Sequence, residues 1–214
     1  MNDSPAPRSA KLPLAAVLLV ALAAGLGLWA GQRWFAPAAA TPLAATSLYP
    51  QPRPLPAFRL DGGDGKPVDA ATLQGRWSLV FLGFTHCPDI CPTTLAELGA
   101  VQKALADLPE AQRPRIVFVS ADPERDTPEA TAKYARHFST DALGATADHA
   151  RLEPFARSLG MVYMRSDLEG GDYTVDHSSR IALLDPQARL AGQIAPPLDV
   201  AKIAADLRQL GARP

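Results

Sequence analysis

The apolar residues fall into one uninterrupted N-terminal run, followed by a longer region of short apolar segments separated by polar turns. The N-terminal run covers 12–30 and contains no charged residue. As a helix it would span roughly 28 Å, close to the hydrocarbon thickness of a bilayer. We therefore predict a transmembrane anchor over 12–30, a cytoplasmic tail over 1–11 and the rest of the chain outside. A cleaved signal peptide is the alternative, because the alanines at 38–40 resemble a cleavage site.

Basic and aromatic residues flank this run as they flank a membrane helix. Arg8 and Lys11 precede it, and Trp29 and Trp34 lie near its far end, where indole rings favour the interface. The leader contains Asp3 and little positive charge, so it matches a mitochondrial transit peptide poorly. We predict a single-pass protein of the bacterial inner membrane that contacts lipid through this helix and places its C-terminal domain in the periplasm.

Segment 31–56 is rich in alanine and proline, with threonine and serine between them. Proline-rich segments stay extended and bury little surface. We therefore predict a linker over 31–56 and a folded domain over 57–214.

Apolar runs in 57–214 alternate with amphipathic segments, as in an α/β domain. The expected elements are strands over 58–60, 77–84 and 115–120, helices over 92–107, 128–138, 152–159 and 200–210, and hairpins over 161–175 and 180–194. Strand, helix, strand, helix, then an antiparallel pair and a helix is the order of a thioredoxin-like domain. The additional helix and hairpin near the middle are interpreted as insertions.

Charge excludes one class of partner. The net charge of the 214-residue chain is −1, and nucleic-acid binding requires a basic face. No nucleic-acid partner is predicted.

The only two cysteines, Cys87 and Cys91, lie between the strand over 77–84 and the helix over 92–107. A helix N-terminus favours negative charge, so we expect these thiols to be acidic and available as nucleophiles or metal ligands. A structural disulfide is the plainer alternative, but closing so short a loop contributes only roughly 2 kcal/mol. The pattern favours thiol–disulfide exchange or soft-metal binding.

Among the four histidines, His177 is the best candidate for a third ligand, because it precedes a strand that this topology places near the central sheet. Alternatively, Asp176 or the neighbouring serines bind the imidazole into its own turn. His86 adjoins the first cysteine but precedes the turn. His137 and His149 are expected to be solvated or structural, as isolated histidines usually are.

A charged loop over 121–128 follows the strand over 115–120. Thr127 as N-cap and Pro128 at the first helical position explain this loop locally. Alternatively, its charges face a ligand or partner at the same edge as the cysteines, because loops at strand C-termini carry sites in α/β sheets.

Three segments taken together resemble the SCO/SenC family of membrane-anchored copper chaperones for cytochrome c oxidase assembly. They are FTHCPDICP at 84–92, DPERDTP at 122–128 and VDHSS at 175–179, and the resemblance covers essentially the whole domain from 57 onward. In that family the two motif cysteines and the distal histidine bind copper. The resemblance therefore implies Cys87, Cys91 and His177 as metal ligands here.

The implied function is delivery of copper to the binuclear copper centre of cytochrome c oxidase subunit II, with other periplasmic copper carriers and thiol reductants as further partners. Two thiolates and one imidazole suit Cu(I), with Cu(II) as a second form. Zinc would prefer a fourth ligand, for which His86 and Asp89 are candidates. Asp176 is expected to orient the imidazole of the distal histidine.

Two other functions use the same thiols. A thiol–disulfide oxidoreductase would use Cys87 and Cys91 alone to keep the copper-site cysteines of the oxidase reduced. A peroxidase fits less well, because it needs one peroxide-reactive cysteine backed by an arginine.

Overall fold

The computed structural model describes residues 14–35 and 42–212, with side chains described outside 32–35. The predicted tail over 1–11, the first two positions of the predicted anchor and the alternative cleavage site at 38–40 lie outside the described residues. The chain divides into two compact units, one ending at Pro42 and one beginning at Leu43.

The N-terminal unit contains helix α1, Leu14–Phe35. Among the described residues it is the one helix that is long and apolar enough to cross a membrane, with a mean hydropathy of 2.2 over Leu14–Gly31. Its large apolar side chains over 14–29 are exposed, as those of a lipid-facing helix are in the absence of a bilayer. A signal sequence shares these properties, so the helix agrees with the predicted anchor and with the alternative signal peptide alike.

The second unit is built on a mixed eight-stranded sheet with a separate hairpin. The sheet strands are β1 Thr46–Arg53, β2 Arg59–Gly62, β3 Pro67–Asp69, β4 Ser78–Gly83, β5 Arg115–Ser120, β6 Leu143–Thr146, β9 Ile181–Leu184 and β10 Leu190–Ile194, and the hairpin strands are β7 Tyr163–Asp167 and β8 Tyr173–His177. The strand order in the sheet is β1-β10-β9-β4-β5-β6-β2-β3. The helices are α2 Ala70–Leu73, α3 Ile90–Ala104, α4 Pro128–Phe138, α5 His149–Ser158 and α6 Val200–Gly211, and a 3₁₀ turn covers Glu110–Gln112.

Strand β4 lies in the middle of the sheet, between β9 and β5, and all six of its residues are buried. It pairs in parallel with β5 and antiparallel with β9, which continues into β10. A βαβ unit joined to an antiparallel pair and a closing helix is the predicted thioredoxin-like arrangement, and this fold class is confirmed. Both helices that follow the parallel strands begin at the same edge of the sheet, where β4 and β5 end.

The predicted linker over 31–56 differs from the structure in its second half. Strand β1, which contains two prolines, pairs with β10 at the edge of the sheet. Proline is tolerated in edge strands, because a missing N–H on the outer side leaves no ladder bond unmade. The segment just before and at the start of β1 also supplies three backbone N–H groups, from Ala44, Ala45 and Thr46, to the buried carboxylate of Asp206 at 2.8 Å each.

Element boundaries differ by a few residues elsewhere. Helix α3 begins two residues before the predicted 92, and α5 begins three residues before the predicted 152. Strand β6 was not predicted, because its Leu-Gly-Ala-Thr sequence is too short to show a period. It nevertheless joins β5 to β2 within the sheet.

Candidate metal centre

The two cysteines lie where β4 passes into α3, one in the connecting loop and one in the helix. Cys91 belongs to the first turn of α3 and is fully buried, whereas Cys87 lies in the loop and is half-buried. The backbone N–H of Cys91 donates to the Sγ of Cys87 at 3.4 Å, so this sulfur caps the start of the helix. Both cysteines are free thiols.

The last residue of β4 allows the buried thiol to lie against the sheet. A Cβ added to Gly83 would lie 2.8 Å from the Sγ of Cys91 and 2.9 Å from the ring of Phe118. Contacts that close require a shift of the neighbouring atoms. The sulfur therefore occupies the space that glycine leaves open above the strand.

His177 is the last residue of β8, and it brings an imidazole to the same place. Its Nε2 lies 3.4 Å from the Sγ of Cys91, and its ring contacts the rings of Phe81 and Phe84 edge-on. Its Nδ1 donates to the backbone carbonyl of Ser178 at 3.1 Å, so in the neutral ring the lone pair lies on Nε2, facing the sulfur.

The structure thus brings together the three side chains that the sequence singled out. One ligand atom from each of Cys87, Cys91 and His177 lies within 4.8 Å of the other two. Their geometry makes a compact set of two sulfurs and one nitrogen.

Burial controls protonation at this site. The pKa of the Cys91 thiol is raised above its ordinary value because burial penalises the thiolate. The expectation that the helix N-terminus makes this thiol acidic is therefore wrong for Cys91, since burial of the thiol is the largest cause and raises its pKa. Burial also lowers the pKa of His177, partly offset by its bond to the Ser178 carbonyl. At neutral pH the ring is neutral and Cys91 is protonated, so a metal that binds both must displace a proton from sulfur.

The charged loop over 121–128 is hydrogen-bonded to the thiol loop through the buried carboxylate of Asp126. Asp126 is 1% exposed and accepts hydrogen bonds from the backbone N–H and the hydroxyl of Thr85, at 2.8 and 2.5 Å. The hydroxyl of Ser120 also donates to it. The local interpretation holds as well, since Thr127 caps α4 and accepts from the N–H of Ala130 at 3.2 Å. The loop thus lies at the predicted edge of the sheet, and its hydrogen bonds to Thr85 and Ser120 were not predicted.

The other candidate ligands lie apart from the two sulfurs. His86 is directed to Asp126, with 3.3 Å between Nδ1 and Oδ1, and groups with Asp122 and Asp126 instead. Asp89 is exposed at the N-cap of α3 and makes no capping bond. Among the described residues neither joins the three-residue set, so the structure gives no support to His86 or Asp89 as the fourth ligand of a zinc site.

The structure differs from two further predictions, which concern Asp176 and His149. Asp176 does not hold the His177 ring, because its carboxylate accepts from the hydroxyl of Ser166 on the paired strand and the carbonyl of Ser178 orients the ring instead. His149 is not simply solvated, since it bridges the Tyr163 hydroxyl and the Glu124 carboxylate at 2.8 Å each. His137 lies in the last turn of α4 against the ring of Phe138.

A cleft of about 540 Å³ opens beside Cys87 and His177. Its apolar wall includes Ile90, whose side chain is 52% exposed beside the thiols. The other apolar lining residues are Phe84, Pro88, Val175, Pro196, Pro197 and Leu198. The polar lining consists of two carboxylates, Glu97 and Asp176, and four hydroxyl groups, from Thr93, Thr94, Thr174 and Ser179, without any Lys or Arg. A second molecule can therefore approach the thiol and the imidazole from this side.

A thioredoxin-like sheet with two free thiols and a neutral imidazole at one strand end defines a class of thiol proteins suited to soft metals or to disulfide exchange. Residues 49–212 match the family model SCO1/SenC, and the chain belongs to this family.

Relatives of known identity agree with this membership. The chain is 37% identical over 153 residues to a Stutzerimonas stutzeri protein named for copper binding, covering 71% of this chain and 74% of the relative. It is 39% identical over 132 residues to the mitochondrial SCO1 homolog 1 of Arabidopsis thaliana, covering 61% of this chain but only 39% of that relative.

Solved structures of similar proteins share the fold. Copper-bound ScoI of Arabidopsis thaliana aligns with a TM-score of 0.66 at 33% identity, covering 72% of this chain and 96% of that one. Copper-bound ScoI of Bradyrhizobium japonicum aligns with a TM-score of 0.65 at 34% identity, covering 72% and 98%. BsSco aligns with a TM-score of 0.61 at 25% identity, covering 79% of this chain and 99% of that one. BsSco is described as a member of the Sco family of cytochrome c oxidase assembly proteins in which a disulfide switch was identified.

Proposed function

We propose that this protein binds copper through Cys87, Cys91 and His177 and delivers it to the binuclear copper centre of cytochrome c oxidase subunit II. The observation that supports this proposal most directly is the convergence of the imidazole on the thiols across 86 residues of sequence. Thiol chemistry alone would need no imidazole at that position, whereas a copper carrier needs the third donor.

The donor set favours Cu(I) as the cargo, with Cu(II) as a second form. Thiolates and imidazole are soft to intermediate ligands, and three of them satisfy Cu(I) while leaving room for an incoming ligand. The carbonyl of Ser178 holds the imidazole in the tautomer that offers Nε2 to the ion. Burial of Cys91 keeps water away from one side of the set.

Transfer would proceed by ligand exchange through the cleft beside Cys87 and His177. An acceptor that brings its own soft ligands into this cleft replaces the donors of the carrier one at a time, and no catalytic turnover is required. Helix α1 would hold the domain at the periplasmic face of the bacterial inner membrane, which raises its effective concentration near a membrane-bound acceptor. Other periplasmic copper carriers or thiol reductants would approach the same cleft.

A second candidate function, thiol–disulfide exchange, is favoured by the state and exposure of the cysteines. Both are free, and Cys87 is the more exposed, as an attacking thiol must be. Its sulfur would attack a disulfide in the oxidase to form a mixed disulfide, and Cys91 would then release the reduced partner, leaving Cys87 and Cys91 oxidised. This pathway moves two electrons and does not use His177.

Replacement of His177 by alanine in the full-length protein, purified in detergent, separates the two functions. Cu(I) affinity is measured by competition with a chromophoric chelator, and disulfide reduction is measured on a model disulfide. We expect His177→Ala to weaken Cu(I) binding by at least about a hundredfold. Removing a group that only orients a metal ligand already lowers metal affinity by about 10–100-fold. His137→Ala, on α4, is the matched control and should bind like the native protein. Unchanged copper affinity in His177→Ala would leave thiol exchange as the function.

A further inference from the structure

The hairpin that supplies the imidazole is not part of the main sheet. Among the described residues, β7 and β8 pair only with each other, in a two-stranded sheet of five residue pairs. An isolated two-stranded hairpin is marginally stable in water. Other contacts must therefore keep His177, at the end of β8, close to the Cys91 sulfur.

The first residue of β8 provides such a contact. The hydroxyl of Tyr173 donates to Oδ1 of Asp122 at 2.8 Å, and this carboxylate is fully buried in the charged loop. The ring of Tyr173 lies between two guanidinium groups, with Arg125 at 3.7 Å and Arg165 at 3.9 Å from its centroid. Cation–π contacts of this kind stabilise most when they are shielded from water.

Arg125 links the same tyrosine to the charged loop a second time. Its Nε donates to Oδ2 of Asp122 at 2.5 Å, and its Nη1 donates to the carbonyl of Tyr173 at 3.1 Å and to Asp172 at 3.3 Å. Its guanidinium also lies 5.9 Å from the ring of Phe84, which begins the thiol loop. One side chain thus contacts the hairpin, the charged loop and the thiol loop.

We propose that Asp122, Arg125 and Tyr173, here termed the hairpin clasp, are positioning residues for the metal centre. They hold the start of β8 on the charged loop, and through β8 they set the place of the imidazole. The same loop holds the thiols through Asp126 and Thr85, so a segment without any ligand fixes both halves of the site. This inference rests on the proposed copper function.

A double-mutant cycle in the full-length protein tests whether the clasp acts through the imidazole. Cu(I) affinity is measured by chelator competition for Tyr173→Leu, in the native background and in His177→Ala. We expect Tyr173→Leu to weaken binding about tenfold in the native background and less than about twofold in His177→Ala. Tyr173→Phe, which keeps the ring but loses the bond to Asp122, should lose about threefold. Tyr49→Leu is the matched control, since it removes a tyrosine below Arg53 on β1.

Amide hydrogen exchange of the copper-free protein gives a second readout. Tyr173→Leu should accelerate exchange in β8 at least about tenfold while the amides of β4 keep their protection. Equal losses of copper affinity in both backgrounds, or unchanged exchange in β8, would overturn the proposal. If His177→Ala has no effect on the native protein, the copper function fails, and the exchange rates still decide whether the clasp holds the hairpin.

Discussion

Replacing Gly83 with alanine should disturb the metal centre without replacing any of the three proposed ligands. The new Cβ would lie 2.8 Å from the Cys91 sulfur, whereas ordinary contacts begin at 3.4 Å, so the sulfur must move by about 0.6 Å (3.4 − 2.8). The new Cβ would also lie 2.9 Å from the ring of Phe118, which is fully buried. Overpacking of this kind costs about 1–3 kcal/mol.

The consequence for copper follows from the precision that metal sites require. Ligand distances must hold within about 0.2 Å, so a sulfur displaced by about 0.6 Å no longer fits. We expect Gly83→Ala to weaken Cu(I) binding at least about tenfold and to lower the midpoint of thermal unfolding by roughly 2–12 °C. Both are measured on the detergent-purified protein, by chelator competition and by calorimetry.

Gly211→Ala is the matched control for this substitution. Its Cβ would meet its nearest neighbour, the carbonyl of Gln112, at 3.4 Å, which is an ordinary contact, and it lies at the end of α6. It should leave copper affinity unchanged. Native copper affinity in Gly83→Ala would refute the reasoning, because it would show that the Cys91 sulfur either does not bind the ion or is free to move.

Three further predictions concern the thiols, the histidine and the domain boundary. An alkylating reagent at pH 7.5 should modify Cys87 first, and Cys91 only on unfolding, because Cys91 is buried and its pKa is raised; peptide mass spectrometry reports the order. Because burial lowers the pKa of His177, the unfolded chain binds more protons there, so stability present above pH 6.5 is lost as pH falls through the folded pKa. The thermal midpoint of the copper-free protein should therefore fall more between pH 7 and 5 than that of His177→Gln, and equal slopes would contradict this. A chain starting at 57 lacks β1 and leaves the buried carboxylate of Asp206 without three donors, which costs at least about 3 kcal/mol. It should unfold roughly 6–12 °C below a chain starting at 42.

The central part of the fold was predictable because its signals are local. The apolar run that forms β4, the cysteines after it and the proline in the first turn of α3 all lie within 15 residues. The hairpin was predictable for the same reason, since Gly170 and Gly171 both adopt positive φ in its turn. These features need no information from distant segments.

The edge of the sheet was not predictable, because β1 has no periodic pattern of its own. Its buried and exposed positions do not alternate, and its prolines resemble those of a linker. What makes it a strand is its pairing with β10, about 140 residues later, and the Asp206 carboxylate that binds the segment leading into it. Neither partner can be recognised from the sequence of β1 alone.

The hydrogen bonds of the charged loop could be predicted only in part. The cap of α4 by Thr127 was predictable, whereas the partners of Asp126 lie in other segments of the chain. Asp126 and Thr127 are adjacent, and both are residues that cap helices, but a helix has one N-cap. Thr127 takes that position in α4, so the carboxylate of Asp126 must find its hydrogen bonds elsewhere. Its donors come from Thr85 and Ser120, at the ends of β4 and β5, because parallel strands bring those ends together at one edge. The second capping residue in the loop between β5 and α4 therefore indicated that its carboxylate bonds elsewhere, and here that residue fixes the loop that carries the thiols.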